Sequence, residues 1–243
     1  MKAIILSAGQ GSRLGHLTDD KPKCLIEFGG KSLLDWQLDT LSANGIEEVV
    51  VVTGFRDDQI EAVLANRSAG PNVRTVFNPF FKVADNLGSL YLVRGELTGD
   101  CLVWNGDTLV SEALMARVVG NRDQDGICVT IDRKAAYDDD DMKVIVGDDG
   151  RLRAIGKRIK SGVNAESIGL LAFRGGGAER FAHAIDRAMR TSEGTTIWYL
   201  RVIHHLAQNG EVRTLDISGE QWGEVDFPED VAPAEAMVRG WGV

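Results

Sequence analysis

Lys2-Ala-Ile-Ile-Leu-Ser-Ala-Gly-Gln-Gly-Ser-Arg13-Leu14, followed by Lys21-Pro22-Lys23, is the stretch on which the fold turns. Residues 3–7 read as a buried strand. The chain then enters a loop containing Gly9 and Gly11, which add no Cβ bulk and tolerate positive φ, so the backbone can close on an anion. Successive backbone N–H groups in such a loop form a phosphate nest. Arg13 and Lys23 add mobile positive charge, and the whole segment reads as a holder for a polyphosphate.

Two familiar phosphate loops fail on specific residues. A Rossmann fingerprint needs Gly-x-Gly-x-x-Gly; here Leu14 stands where the third glycine belongs, and residues 18–22 read as loop rather than helix. A P-loop needs Gly-x-x-x-x-Gly-Lys-Ser/Thr; Gly30-Lys31-Ser32 matches its end, but Leu25 occupies the first glycine position.

Downstream, apolar periodicity and turn residues predict helices over 32–44, 57–66, 89–96 and 111–119, alternating with strands over 48–53, 73–77 and 101–104. This alternation predicts a parallel sheet with helices on both faces. The second half changes character: short strands at 126–133, 142–146, 152–155 and 167–173, helices at 178–190 and 196–209, a strand at 212–216, an extended segment at 222–226 and a last helix from Pro228. There is no linker, repeat or low-complexity run. The economical organisation is one unit over 1–243, with 1–125 mainly nucleotide-binding and 126–243 mainly acceptor-binding.

With 243 residues, 44% of them apolar, the chain can bury the core of one large α/β domain. The net charge of −9 disfavours a nucleic-acid surface, which needs a basic patch. The apolar start is too short for a signal peptide or membrane span. Three cysteines, Cys24, Cys101 and Cys128, have no metal-type spacing, and their odd number points to reduced thiols in a cytoplasm.

Ala8-Gly9-Gln10-Gly11-Ser12-Arg13-Leu14 with Lys21-Pro22-Lys23 resembles the signature of the sugar-phosphate nucleotidyltransferase superfamily. The resemblance implies a Rossmann-like α/β fold of the nucleotide-diphospho-sugar transferase type: a mixed, mainly parallel sheet flanked by helices, with a small acceptor-binding β lobe. It places Ser7, Ala8, Gly9, Gly11, Ser12, Arg13 and Lys23 around a nucleoside triphosphate. Arg13 would steady the departing pyrophosphate and Lys23 would stabilise charge at the α-phosphate.

Asn105-Gly106-Asp107 follows a predicted strand at its carboxyl end, where open α/β sheets bind ligands. Asp226 lies ahead of Phe-Pro-Glu. Both match the superfamily pattern, which implies a magnesium ion between the two carboxylates, in keeping with that ion's preference for one or two carboxylates plus phosphate oxygens. Each also has a structural reading, Asp107 as a turn residue and Asp226 as a helix cap. Lys157, in Ala-Ile-Gly-Lys, and Glu166, in Glu-Ser-Ile-Gly, are similar to the superfamily's acceptor-contacting elements, although the usual Glu and Pro around the lysine are missing.

Asp85-Asn86-Leu-Gly-Ser89-Leu-Tyr91 and Asp140-Asp-Met-Lys143-Val look like the branch of cytidylyltransferases that act on phosphocholine and related phosphate or phosphonate esters. In that branch Asn86 and Ser89 would hydrogen-bond a base edge or ribose; the alternative is that they cap a helix. Among the five tryptophans, Trp104 lies close to Asp107, and Trp198-Tyr199 falls in the acceptor half. Trp104 and Tyr199 are therefore candidate acceptor contacts, able to form a cation–π cage for an ammonium group or to be core.

The expected reaction is transfer of a nucleotidyl group, CTP favoured, to a small phosphorylated acceptor such as phosphocholine or 2-aminoethylphosphonate, releasing pyrophosphate, with Mg2+ as cofactor. The rivals are the same chemistry on a sugar-1-phosphate or inositol phosphate with another base, and a non-catalytic nucleotide-sensing subunit. Oligomeric state is open, a homodimer included.

Overall fold

In a computed structural model, which describes residues 1–122 and 125–241, β1 (Lys2–Leu6) ends at the glycine loop as the sequence predicts. The segment after the loop is not plain coil. A 3-10 stretch over Ser12–Thr18, kinked at Gly15, and a second over Lys23–Leu25 fold it back against the sheet edge. A two-residue hairpin follows, β2 (Glu27–Phe28) and β3 (Lys31–Ser32). Helix α1 (Leu33–Ala43) starts from a capping box in which Ser32 Oγ accepts from Asp35 N at 3.0 Å.

The β-branched run of β4 (Glu48–Thr53) leads through α2 (Asp57–Ala65) to β5 (Asn72–Phe77), α3 (Asn86–Leu92) and β6 (Cys101–Asn105). β1 pairs parallel with β4 on one side and β6 on the other, and β4 pairs parallel with β5. The chain therefore builds outward from β1 to β5 and then jumps back across it to β6. That reversal opens the crevice at the carboxyl ends of β1 and β6 in which open α/β sheets hold ligands.

The strand β7 (Thr108–Val110) and α4 (Glu112–Gly120) follow, then β8 (Gly126–Asp132), β9 (Lys143–Val146), β10 (Leu152–Ile155) and the long β11 (Ala165–Arg174). β11 runs antiparallel to β6, β8 and β9, so the second half extends the same nine-stranded mixed sheet. Helices α5 (Gly177–Met189) and α6 (Tyr199–Gln208), then β12 (Val212–Asp216), β13 (Trp222–Glu224) and α7 (Pro228–Arg239) complete it. β12 adds to the sheet beside β8, in parallel.

Strand alternation sorts the core to two faces. Ile4 and Val103 pack with Leu87, Phe181 and Tyr199 on one; Ala3, Ile5, Leu102 and Trp104 pack with Leu34, Leu38 and Leu114 on the other. A third cluster joins Leu14, Phe28, Trp36, Leu109, Val225 and Val238. It is small but decisive for position, because it clamps the segment after the glycine loop to the end of the chain. Among the described residues no helix is long and apolar enough to cross a membrane.

Candidate active site

The glycine loop and the turn after β6 face one another across the switch point. Ser7, Gly9, Gly11, Lys23, Asn86 and Asp107 line a cleft of about 180 Å³ there. Gly11 has φ +76°, and a Cβ on it would lie 2.9 Å from Lys23 Cβ and Cδ. Glycine is required here twice over, for the left-handed backbone and for the lysine stem that runs across it. Ala8 is buried beneath the loop, where its carbonyl accepts from Phe55 N at 3.0 Å, and Ser12 is exposed at the loop's outer end.

Lys23 and Arg13 converge on two carboxylates. Lys23 Nζ donates to Asp107 Oδ2 at 2.9 Å and to Asp226 Oδ1 at 2.5 Å. Burial alone would depress this lysine; the two aspartates more than offset it and hold the ammonium above the ordinary lysine value. Arg13 donates to Asp226 Oδ2 at 2.5 Å and to Asp140 Oδ1 at 3.2 Å, and its guanidinium lies 4.7 Å from the centre of the Phe227 ring. Asp226 is set by its own neighbourhood: Asp230 Oδ2 accepts from the backbone N–H of both Asp226 and Phe227 as α7 begins.

A third carboxylate that sequence reasoning passed over joins them. β13 pairs antiparallel with β7, Glu224 opposite Thr108, which brings Glu224 beside Asp107. Ligand atoms of Asp107, Glu224 and Asp226 lie within 4.8 Å of one another. Glu224 reaches solvent at the mouth of the site, yet the protein around it and the charges of Asp107 and Asp226 push its carboxyl up to about 8. Three hard oxygen donors this close together, with an ammonium already lodged between two of them, suit a divalent ion such as magnesium. The available signal was spacing: residues two apart in an extended segment share a face, so Glu224 accompanies Asp226.

The acceptor-side expectations divide. Lys157 Nζ donates to Asp140 Oδ1 at 3.0 Å, so Asp140 joins Lys157 to Arg13 and through it to Asp226. The sequence marks Asp140 only as the start of the Asp140-Asp-Met-Lys143-Val motif, with no site role of its own. Glu166 is buried and pairs with Lys134 at 3.0 Å; burial pushes its carboxyl up to about 7, with Lys134 opposing and Asp141 adding to the rise.

Trp104 and Tyr199 are corrections. Trp104 is 0% exposed, because β6 alternation turns it with Leu102 into the core face away from the cleft. Tyr199 is fully buried in the opposite core, where its hydroxyl donates to Asn105 Oδ1 at 3.0 Å. Neither presents a surface to an acceptor. Ser89 is likewise buried, and its hydroxyl accepts from Asn78 Nδ2 at 3.0 Å rather than facing a base. Asn86 does line the cleft, with its Oδ1 accepting from Tyr199 N at 3.0 Å, so it also caps α6.

Residues 3–160 match the family model described as the MobA-like NTP transferase domain. The chain is 28% identical to the CMP-5'-(3-aminopropyl)phosphonate synthase of Streptomyces rubellomurinus, over 97% of this chain and 38% of that protein. It is 25% identical to the choline-phosphate cytidylyltransferase of Streptococcus pneumoniae, over 98% of this chain and 99% of that one. The chain thus spans well under half of the first relative and nearly all of the second. The fold matches that of the inositol-1-phosphate CTP transferase of T. maritima, with a TM-score of 0.81, 24% identity and coverage of 98% and 95% of the two chains.

Proposed function

This chain belongs to the MobA-like NTP transferase family, and from that premise we propose that it transfers a cytidylyl group from CTP to a small phosphate or phosphonate ester. The observation that carries the reading is the convergence of Lys23 and Arg13 on Asp107 and Asp226 beside the glycine loop. The relatives that act on aminopropylphosphonate and on choline phosphate favour CTP and this acceptor class over a sugar-1-phosphate. Residues 1–125 then serve mainly the nucleotide and 126–243 mainly the acceptor; positions 123–124 and 242–243 lie outside the described residues.

In this reading an oxygen of the acceptor's phosphate or phosphonate attacks the α-phosphorus of CTP. A new P–O–P link forms, the bond from the α-phosphorus to the bridging oxygen of the β-phosphate breaks, and pyrophosphate leaves. The attacking oxygen is already anionic, so no general base is required. The obstacle is repulsion between two polyanions, and catalysis is alignment and charge neutralisation.

The backbone N–H groups of Gly9 and Gly11 hold the triphosphate. Lys23 swings from its carboxylates onto the α-phosphate, and Arg13 steadies the pyrophosphate. Asn86 reaches the nucleoside, and Lys157 holds the acceptor's reacting group. Asp107 and Asp226, with Glu224 beside them, would hold Mg2+, which supplies Lewis-acid neutralisation of phosphate charge.

The test is a matrix of nucleoside triphosphates against phosphocholine, 2-aminoethylphosphonate, inositol phosphate and hexose phosphates, read by magnesium-dependent pyrophosphate release. Turnover with CTP and a phosphate or phosphonate ester is expected. Release only with sugar-1-phosphates and another base overturns the assignment of substrate. Nucleotide binding with no release from any pair indicates a sensing subunit.

A further inference from the structure

A second cleft, of about 530 Å³, opens between the end of β10 and the start of α6. Met142, Ile155 and Leu200 give it an apolar floor, while Lys157, Arg158 and Arg201 line it with Asp85 as the one carboxylate. Lys157 pairs with Asp140 at 3.0 Å and is already assigned to the acceptor's reacting group. Arg158 and Arg201 are exposed, and among the described residues neither has a carboxylate within ion-pair distance. In a chain of net charge −9, two unpaired guanidiniums in one cleft are a local reversal of sign.

The cleft adjoins the candidate active site through a short chain of contacts. Lys157 shares Asp140 with Arg13, and Arg13 holds Asp226. It is poorly suited to an ammonium group. Its aromatic wall is Trp198, 42% exposed, and Lys157 Nζ already lies 5.4 Å from the centre of that ring. Trp104 and Tyr199, which would have completed a cage, are core.

Resting on the reading of cytidylyl transfer to a phosphate or phosphonate ester, we propose that the acceptor carries a second anionic group, a carboxylate or second phosphate, remote from its reacting phosphorus, and that Arg158 and Arg201 bind it. A guanidinium presents paired N–H donors in a planar fork that matches both oxyanions. The apolar floor accommodates the short carbon chain between the two ends.

The experiment compares phosphoethanolamine with phosphoserine, which adds one carboxylate to the same skeleton, and with propane-1,3-diol bisphosphate, which supplies a second phosphate. The expected result is a kcat/KM at least tenfold higher for one of the dianionic-ended acceptors, carried by KM. Which acceptor gains identifies the group. Arg158→Ala and Arg201→Ala should each erase most of that ratio.

Equal kcat/KM for all three, a preference for phosphoethanolamine, or a ratio that survives both substitutions overturns the inference. Calorimetric binding of the same acceptors to the protein with a non-hydrolysable CTP analogue gives the same comparison without turnover; equal affinities overturn it there too. Absence of pyrophosphate release from every nucleotide and acceptor pair is a different failure, that of the underlying reaction.

Discussion

Lys23 Nζ sits 2.5 Å from Asp226 Oδ1 while also donating to Asp107 Oδ2 at 2.9 Å, so one ammonium bridges two of the three carboxylates suited to a divalent ion. A lysine in that place neutralises the aspartates when no metal is bound, and in the proposed reaction it leaves them to reach a phosphate. Removing it should have two opposite effects. Lys23→Ala should lose roughly 100- to 1000-fold in turnover, the usual loss when one preorganised donor at a developing charge is deleted. The same variant should bind Mn2+ more tightly than wild type in the absence of nucleotide, read by electron paramagnetic resonance titration. Unchanged turnover, or Mn2+ affinity equal to wild type, would show that Lys23 does not share the carboxylates with a metal.

The two loop glycines should separate cleanly. A Cβ on Gly11 meets Lys23 at 2.9 Å in a backbone with φ +76°, whereas a Cβ on Gly9 meets no protein atom within 4 Å. Gly11→Ala should therefore destabilise the fold by ~1–2 kcal/mol for the left-handed residue and displace Lys23, lowering turnover. Gly9→Ala should leave thermal stability near wild type and raise the KM for nucleotide, because its methyl projects into the cleft. A Gly9→Ala protein with unaltered nucleotide KM would move the triphosphate away from this loop.

Tyr199 tests the correction to the acceptor site. Its hydroxyl donates to Asn105 Oδ1 at 3.0 Å inside a fully buried setting. Tyr199→Phe should cost about 1 kcal/mol of stability, the typical net value of one such hydrogen bond, and leave acceptor KM within about twofold. A tenfold rise in acceptor KM with little change in melting temperature would return Tyr199 to the acceptor surface.

Glu166 should give the fold a pH signature. Burial holds its carboxyl at about 7 against an ordinary 4.5, so between those values the folded chain binds a proton that the unfolded chain has lost. Stability from this group is complete below pH 4.5 and declines until pH 7. The wild-type-minus-Glu166→Gln difference in unfolding free energy should thus fall as the pH rises across that range. A flat difference in urea melts across those pH values would mean that the Lys134 pair keeps Glu166 ionised throughout.

Local features of the fold are legible in the sequence. Strand, glycine loop, Arg13 and Lys23 are contiguous enough for spacing to carry meaning, and each strand and α-helix expected in the first half lies within a few residues of its observed place, while the β2–β3 hairpin and β7 left no such signal. The segment after the loop was harder, because short 3-10 turns leave little periodicity to detect. Trp104 and Ser89 misled for a different reason. Nearness in sequence to Asp107 or Asn86 does not fix direction: in strand β6 one residue decides which face a side chain joins, and on helix α3 Ser89 turns inward to Asn78.

The sequence by itself determined the β-α alternation and the glycine loop, and it singled out two cations and two carboxylates as candidates. Only the tertiary structure decided that they meet: Lys23 and its two aspartates are separated by 84 and 203 positions. It also decided that Glu224 and Asp140 join them and that Tyr199 and Trp104 are withdrawn into the core. The physical reason is that such meetings depend on strand pairing and on the packing of Leu14, Phe28 and Val225 around the chain's two ends. Periodicity within one segment reports its buried face, and the partner across that face is set by the fold as a whole.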